Sequence, residues 1–360
     1  MKIVQLLPTM AFGDAVSNDA AAIDRMLSGM GYKTAVYASN VDPRLPEGTA
    51  SHWNKMKDLH DDDLLIFHAS TGDPLNRKVS ALGGRKMMIY HNITPSSFFR
   101  GYSREAEELT ETGRRQIRRL SDQFRYCVAD SDYNRFELRQ MGYSCPIDVC
   151  PIMIPFEDYE KEPDRNVLAK YQGDGWTNLL FVGRIAPNKK QEDVIRAFYY
   201  YHRDYNPKSR LFLVGNDTGM ENYRYQLENY IRALGLAGRV IFPGHISFAA
   251  ILAYYRLADV FVCMSEHEGF CVPLVEAMYF DLPIVAYASS AIPETLGKGG
   301  LLLNDKDPLV AAAAIDRMIR DGSLREGIAA ERKARLAQFR YEQVSAKMKE
   351  CILKLAGGEQ

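Results

Sequence analysis

Two carboxylates eight residues apart bracket the stretch Glu268-Gly-Phe-Cys-Val-Pro-Leu-Val-Glu276. It follows an apolar run, Asp259-Val-Phe-Val-Cys-Met264, that has the pattern of a buried parallel strand. Pro273 then falls in the first turn of an expected helix, where a missing N–H costs nothing. A helix start presents unpaired N–H groups and a partial positive charge, which suits an anion such as a diphosphate. A carboxylate in the loop and another one turn into the helix cannot both face that anion. They are placed instead to accept hydrogen bonds from hydroxyls on either side of it. Hydroxyl, diphosphate, hydroxyl is the layout of a nucleotide-sugar.

A second stretch supplies positive charge. Phe181-Val-Gly-Arg184-Ile-Ala-Pro-Asn-Lys189-Lys190 reads as a strand end, a tight turn at Gly183 and a helix start. The forked guanidinium of Arg184 and the point charge of Lys189 together would neutralise a diphosphate leaving group. A solvated basic turn has the same composition, so the two-carboxylate stretch carries most of the weight.

Alternating strands and helices must hold these loops. Strand-like runs cover residues 2–7, 34–38, 64–68, 86–91, 126–129 and 147–152, most of them apolar on both faces. A break rich in Pro and acidic residues (Pro151, Pro155, Glu157, Asp158, Pro163) reads as a linker. The alternation restarts with strands at 179–182, 211–214, 240–242, 260–264 and 284–288, and two helical segments close the chain. The expected architecture is α/β, with two tandem Rossmann-like, doubly wound domains: 1–155 on the acceptor side and 164–339 on the donor side. Ligands bind such sheets at the carboxyl ends of strands, so two halves facing a central cleft would share one site.

The bulk numbers leave this reading open and close others. A chain of 360 residues has room for two domains, and 46% hydrophobic with 25% charged residues is the balance of a globular protein. A net charge of −1 gives no bias toward nucleic acid. Met1-Lys-Ile-Val-Gln-Leu-Leu7 is followed too soon by Pro8 and Asp14 for a signal peptide and reads as a first strand. No apolar run approaches the ~20 residues of a spanning helix. Six cysteines without a Cys-x-x-Cys pair fit reduced thiols of a cytoplasmic protein, although a Cys145–Cys150 bridge stays open.

Several motifs in the second half occur in one order. Gly183-Arg184 with Lys189, Phe242-Pro-Gly244-His245, Ser265-Glu-His-Glu268-Gly-Phe270, Pro273-Leu-Val-Glu276-Ala-Met, Pro283-Ile-Val-Ala286 and Ile292-Pro-Glu294 resemble the signature of the retaining nucleotide-sugar glycosyltransferases of family 4, which have the GT-B fold. The resemblance implies that Arg184 and Lys189 hold the donor diphosphate and that Glu276 takes the ribose hydroxyls. Glu268 would lie beside the transferred sugar, with backbone N–H groups around Phe270, Cys271 and Val272 on sugar hydroxyls. Gly244, His245 and Ile246 would lie near the nucleobase. It also implies that the last helix, 340–360, packs back on the first domain. The chain departs from the family at Cys271 and Lys190, both positions where glycine is common.

The first half is less familiar. Phe12-Gly13-Asp14-Ala-Val-Ser17 follows the first strand. Gly13 permits close backbone approach at the cleft floor, Ser17 is a candidate helix cap, and Asp14 is either an acceptor-binding group or another cap. Tyr90-His91-Asn-Ile-Thr-Pro95 ends a strand, and His91 resembles the cleft histidine of the family, which binds donor sugar or phosphate. The whole string resembles a subgroup associated with bacterial polysaccharide assembly. His68 is a second candidate at the end of the preceding strand. Phe98, Phe99 and Tyr102 precede a helix with Arg114, Arg115, Arg118 and Arg119 on one face. That helix either rests on the anionic inner face of a membrane, where a polyprenyl-linked acceptor lies, or is a solvated face paired with Glu105, Glu107, Glu108 and Glu111.

Asp61-Asp-Asp63 and Asp130-Ser-Asp132 contain the Asp-x-Asp pattern of metal-dependent transferases, but they read as a turn and a helix cap. With Arg184 and Lys189 supplying charge, no metal cofactor is expected. No Gly-x-Gly-x-x-Gly follows a strand and no Gly-x-x-x-x-Gly-Lys-Ser/Thr occurs, which argues against a nicotinamide oxidoreductase or a P-loop enzyme. The expectation is hexose transfer from a nucleotide diphosphate sugar, GDP-mannose or a UDP-hexose, to a glycan or lipid-linked oligosaccharide with retention. Glu268, His91, Arg184 and Lys189 are the catalytic candidates. A sugar-nucleotide epimerase and a non-catalytic partner subunit are the alternatives.

Overall fold

The computed structural model describes residues 1–244 and 246–356. The chain divides into two compact units. The first comprises Met1–Ser96, Glu107–Phe156 and Gln338–Gln360; the second comprises Ser97–Ala106 and Glu157–Ala337.

The first unit is built on seven parallel strands: β1 (Lys2–Met10), β2 (Lys33–Val41), β3 (Ser51–His52), β4 (Leu64–Ala69), β5 (Arg85–Tyr90), β6 (Tyr126–Ala129) and β7 (Ile147–Val149). They lie in the order β3-β2-β1-β4-β5-β6-β7. Every residue of β4 and β6 is buried, as expected of strands covered on both faces. Helices α1 (Ala15–Gly29), α2 (Arg104–Arg119) and α3 (Asp132–Gln140) connect the strands, and α12 (Tyr341–Ala356) belongs to the same unit. On one side of the sheet Ile3, Ile23, Leu64 and Met87 pack with Val344, Met348 and Ile352 of α12. Lys354 Nζ reaches Asp148 Oδ2 at 2.6 Å and Arg85 donates to the Leu355 carbonyl at 2.9 Å, which fixes that last helix on the first unit.

The second unit has six parallel strands: β8 (Thr177–Val182), β9 (Ser209–Val214), β10 (Val240–Ile241), β11 (Val260–Cys263), β12 (Ile284–Tyr287) and β13 (Leu301–Leu303). Their order is β10-β9-β8-β11-β12-β13. The helices are α4 (Arg165–Tyr171), α5 (Gln191–Asp204), α6 (Glu221–Ala233), α7 (Phe248–Leu257), α8 (Val272–Tyr279), α9 (Ile292–Leu296), α10 (Pro308–Arg320) and α11 (Gly322–Ala337). Val194, Phe198 and Tyr201 of α5 pack with Leu211, Leu213 and Ile315 to form the core on one face.

Four details differ from the sequence reading. The short strands β3 and β13 were not anticipated, and the linker contains a turn at 156–160 and then α4. Phe99 and Tyr102 serve the second unit: Phe99 is buried in its core and Tyr102 meets Tyr223 edge-on at 5.2 Å. Arg114 does not share the open face of α2. Its guanidinium pairs with Glu137 at 3.0 Å and donates to the Ile93 carbonyl, whereas Arg115, Arg118 and Arg119 are exposed.

Each sheet reverses its winding once. The reversal lies between β1 and β4 in the first unit and between β8 and β11 in the second. Loops leaving the carboxyl ends of those strands flank a crevice, the usual place for a ligand in this architecture. The Arg184–Lys189 loop leaves β8 and the Glu268 loop leaves β11, so both fall at the reversal of the second sheet.

Candidate functional site

The loop after β8 is shaped by close backbone approach. A Cβ at Gly215, just past β9, would stand 1.9 Å from the Gly183 carbonyl oxygen, so only glycine fits there. Ile185 N–H donates to the Asn216 carbonyl at 2.9 Å, and the Arg184 guanidinium donates to the Thr218 carbonyl at 3.1 Å. The Arg184 side chain is otherwise exposed.

Asn188 ties this loop to the one after β11. It is buried; its side-chain amide donates to the His267 carbonyl at 3.1 Å and its own carbonyl accepts from Glu266 N–H at 2.9 Å. The tie brings Lys189 Nζ to 2.6 Å from Glu268 Oε2. Burial pulls the Lys189 ammonium down, but the Glu268 carboxylate outweighs it and the net shift is upward, so the lysine stays charged. Glu268 N–H donates to Ser290 Oγ at 2.8 Å, and Thr295 Oγ1 donates to the Phe270 carbonyl at 2.5 Å. The loop after β12 therefore braces the loop after β11. The neighbouring Phe98 ring lies 5.9 Å from His267.

Cys271 caps α8 with φ of +73°, and Lys190 caps α5 with φ of +53°. Both lie in the left-handed region that glycine enters freely. That is the physical reason glycine is common at these two positions. Lys190 pairs with Glu192 at 3.3 Å and Glu266 at 3.7 Å. Pro273 lies in the first turn of α8, where the N–H groups of Val272 and its neighbours open the helix.

Glu276 sits one turn further on. Both carboxylate oxygens are held by phenols: Tyr159 at 2.9 Å and Tyr255 at 2.6 Å. Burial raises its carboxyl above the usual range, and the Tyr255 and Tyr159 hydroxyls draw it back. Gly244 has φ of +78° and Ile246 is half-buried before α7; His245 lies outside the described residues.

In the first unit, Asp14 caps α1, accepting from Ser17 N–H at 2.9 Å and Ser17 Oγ at 2.8 Å. Ser17 is thus not the cap but its partner. Gly13 precedes the cap with φ of +74°. His91 follows β5 in a chain of buried polar groups. Gln5 donates through Nε2 to the Ala20 carbonyl, so its Oε1 accepts from His68 Nε2 at 2.9 Å. His68 Nδ1 meets His91 Nε2 at 2.9 Å, and His91 Nδ1 meets Asp130 Oδ2 at 2.9 Å. With Nε2 donating, a neutral His68 has only a lone pair at Nδ1, so His91 donates to it from Nε2. Burial raises the Asp130 carboxyl while His91 draws it back down, and an ionised Asp130 accepts from His91 Nδ1. Burial pulls His91 down, but the Asp130 charge and hydrogen bond raise it overall, while burial and the His91 charge hold His68 well below the ordinary range. Both ring nitrogens of His91 are engaged inside the unit.

In the triplet Asp130-Ser-Asp132, where Ser131 or Asp132 is the expected cap, Ser131 does the capping and Asp130 is the partner of His91 Nδ1. Asp63 accepts from the backbone N–H groups of Lys2 and His60, a turn role. Among the described residues two clusters bring three metal-ligating atoms within 4.8 Å of one another: Asp19, His68 and His91, and Cys263, Glu268 and Cys271. In the first cluster His91 also meets Asp130, and in the second Glu268 also pairs with Lys189. Asn188, Tyr159, Tyr255, Gln5 and Asp130 were not singled out as site residues in the sequence. Of these, Asn188, inside the Arg184–Lys189 motif, and Asp130, inside an Asp-x-Asp pattern, carried a local signal.

Residues 161–335, which lie within the second unit, match the family described as glycosyl transferases group 1. An O-antigen chain mannosyltransferase B of Escherichia coli is 26% identical over 225 residues, 61% of this chain and 58% of that protein. A D-inositol 3-phosphate glycosyltransferase of Geodermatophilus obscurus is 31% identical over 171 residues, 46% of this chain and 37% of its own length. The chain thus spans well under two thirds of these curated relatives. Among solved structures, sucrose-phosphate synthase of Thermosynechococcus elongatus aligns with a TM-score of 0.77 at 17% identity over 100% of both chains. The Anabaena HepE protein in complex with UDP and glucose aligns with a TM-score of 0.77 at 19% identity, over 99% of this chain and 100% of that one. These likenesses give the fold: two parallel-sheet Rossmann-like domains of the GT-B type.

Proposed function

We propose that the protein is a retaining glycosyltransferase that moves a hexose from a nucleotide diphosphate sugar to a hydroxyl of a glycan or lipid-linked oligosaccharide in polysaccharide assembly. The observation that carries this reading is the Lys189–Glu268 pair, locked by Asn188 at the winding reversal of a group 1 domain. The barrier lies in breaking the anomeric carbon–oxygen bond while negative charge grows on the diphosphate. Lys189, Arg184 and the N–H groups at the start of α8 stabilise that charge. An ammonium has three donors and Glu268 uses one, so Lys189 keeps donors for a phosphate. Glu276 takes ribose hydroxyls with the lone pairs its two tyrosines leave unused. Glu268 lies beside the transferred sugar, and the acceptor attacks the face the leaving group departs from while the departing phosphate takes its proton.

The fixed cations make a metal unnecessary for this step. The donor is GDP-mannose or a UDP-hexose; a mannosyltransferase relative and a UDP-bound structure of the same fold support the two options. The reaction belongs in the cytoplasm at the inner face of the membrane, with exposed Arg115, Arg118 and Arg119 suited to anionic lipid. Among the described residues no helix is long and apolar enough to cross a membrane.

The test is incubation with GDP-mannose and UDP-hexoses, with and without a panel of glycan and polyprenyl-linked acceptors. Transfer to an acceptor with the donor's anomeric configuration, read by proton NMR, is the expected result. Inversion would overturn retention. An epimerised donor without acceptor, or donor binding with no transfer to any acceptor, would overturn the transferase reading.

A further inference from the structure

The geometry points to Cys145 as a site of oxidative modification by hydroperoxides, with Cys127 as its resolving thiol. Nothing in the glycosyl-transfer reading uses either residue. Cys127 lies in β6, fully buried, and Cys145 lies just before the neighbouring strand β7, half-buried. Their sulfurs are 3.6 Å apart. A disulfide bond is ~2 Å long, so closure requires under ~2 Å of approach between a side chain on β6 and one just before the adjacent β7. Cys150, the other partner open in the sequence, is buried and directs its thiol to the Val344 carbonyl.

The surroundings favour attack by Cys145 rather than by Cys127. The Arg139 guanidinium donates to the Tyr143 carbonyl at 2.7 Å and to the Cys145 carbonyl at 2.8 Å, so a fixed cation stands beside the thiol. The contact with the Cys127 sulfur first, and then Arg139, draws the Cys145 thiol downward, against the pull of burial. Cys127 moves well upward, first through that contact and then through burial. Cys145 is thus the reachable partner and the one drawn toward thiolate, and Cys127 is a buried thiol held against it.

The chemistry balances in two steps. The Cys145 thiolate attacks one oxygen of hydrogen peroxide, the O–O bond breaks, and Cys145 becomes a sulfenic acid while hydroxide leaves and is protonated to water. The Cys127 sulfur then attacks the sulfenic sulfur; the S–S bond forms, the S–O bond breaks, and hydroxide leaves with the Cys127 proton as a second water. The two thiols lose two electrons and the peroxide gains them.

The whole protein is treated with hydrogen peroxide, its remaining thiols are blocked with N-ethylmaleimide, and the tryptic peptides are weighed. The expected product is a Cys127–Cys145 linked pair, two hydrogens lighter than the sum of the free peptides and released by dithiothreitol. Cys127→Ser traps the intermediate as a dimedone adduct on Cys145. Cys145→Ser, a change at a half-buried position, leaves Cys127 unmodified in the folded protein. Should Cys127→Ser not fold, the wild-type peptide pair and the Cys145→Ser result decide. Peroxide that leaves Cys145 as N-ethylmaleimide adduct, or that oxidises Cys127 as readily in Cys145→Ser, overturns the assignment.

Discussion

Lys189 Nζ lies 2.6 Å from Glu268 Oε2, and the two side chains are only 20% and 8% exposed. The pair is largely buried, and the proposed function gives it a chemical role besides. Removing one partner strands a buried charge, which typically costs about 3–5 kcal/mol, whereas replacing both with apolar groups is often neutral. Lys189→Ala is therefore expected to lower thermal stability and turnover together. Lys189→Met combined with Glu268→Leu should recover the melting temperature and not the turnover. Recovery of both would assign the pair to stability alone.

Glu276 is expected to act through the two phenols that hold it. Tyr159→Phe and Tyr255→Phe each remove one hydrogen bond, a loss of about 1 kcal/mol in stability. Freed from one donor, the carboxylate loses its fixed orientation. Donor KM should rise in both variants with kcat little changed, and Glu276→Ala should cripple donor use. Unchanged donor KM in all three would remove Glu276 from the site.

Cys271 offers a test of whether backbone or side chain serves at the start of α8. With φ at +73° the position suits glycine, so Cys271→Gly should keep turnover near wild type. A β-branched residue is strained there, and Cys271→Val should lose about 1–2 kcal/mol of stability. A collapse of turnover in Cys271→Gly would mean that the thiol itself takes part.

The polar chain in the first unit should give stability a pH dependence. Asp19 is pushed up to about 7, first by burial, with His91 drawing it down and Asp130 pushing it further. Between its ordinary value of 3.8 and about 7 the folded state holds a proton that the unfolded state has lost. Stability therefore falls as pH rises through that window, by up to a few kcal/mol in all. The raised His91 acts in the same direction from about 6.5 upward, and the lowered His68 acts in the opposite direction below it. In Asp19→Asn the Asp19 contribution disappears. The difference in urea midpoint between variant and wild type should shift in the variant's favour from pH 4 to pH 7; a constant difference would contradict the burial argument.

Much of this architecture is legible in the chain because its strands are apolar on both faces and separated by amphipathic helices. Strands such as Leu64–Ala69 and Ser209–Val214 are buried at every position. β13 is a three-residue strand and β3 a two-residue one, too short for any periodicity. The loops after β8 and β11 announce themselves through Gly183, Pro273 and the spacing of charges. Their partners do not. Tyr159 reaches Glu276 across 117 residues and His68 reaches Gln5 across 63. A tyrosine in an acidic linker and a glutamine in an apolar strand carry no local mark of what they will meet. The assignment of Ser17 as a cap failed for a related reason: Asp14 and Ser17 are both good capping residues, and only the backbone decides which stands at the start of the helix.

A chelator tests the proposal that Lys189 and Arg184, rather than a divalent ion, hold the diphosphate. Turnover is expected to persist in EDTA, since Lys189 and Arg184 carry the charge. Complete loss in chelator, restored by manganese or magnesium, would contradict that division of roles.

The central claim is that Arg184 and Lys189 grip a diphosphate, and calorimetric titration of UDP and GDP into wild type and Arg184→Ala tests it most directly. Arg184 is exposed and its removal should leave the fold intact. The account predicts nucleoside diphosphate binding at least about tenfold weaker in the variant, a loss of roughly 1.4 kcal/mol. Equal affinity in the two proteins would contradict it.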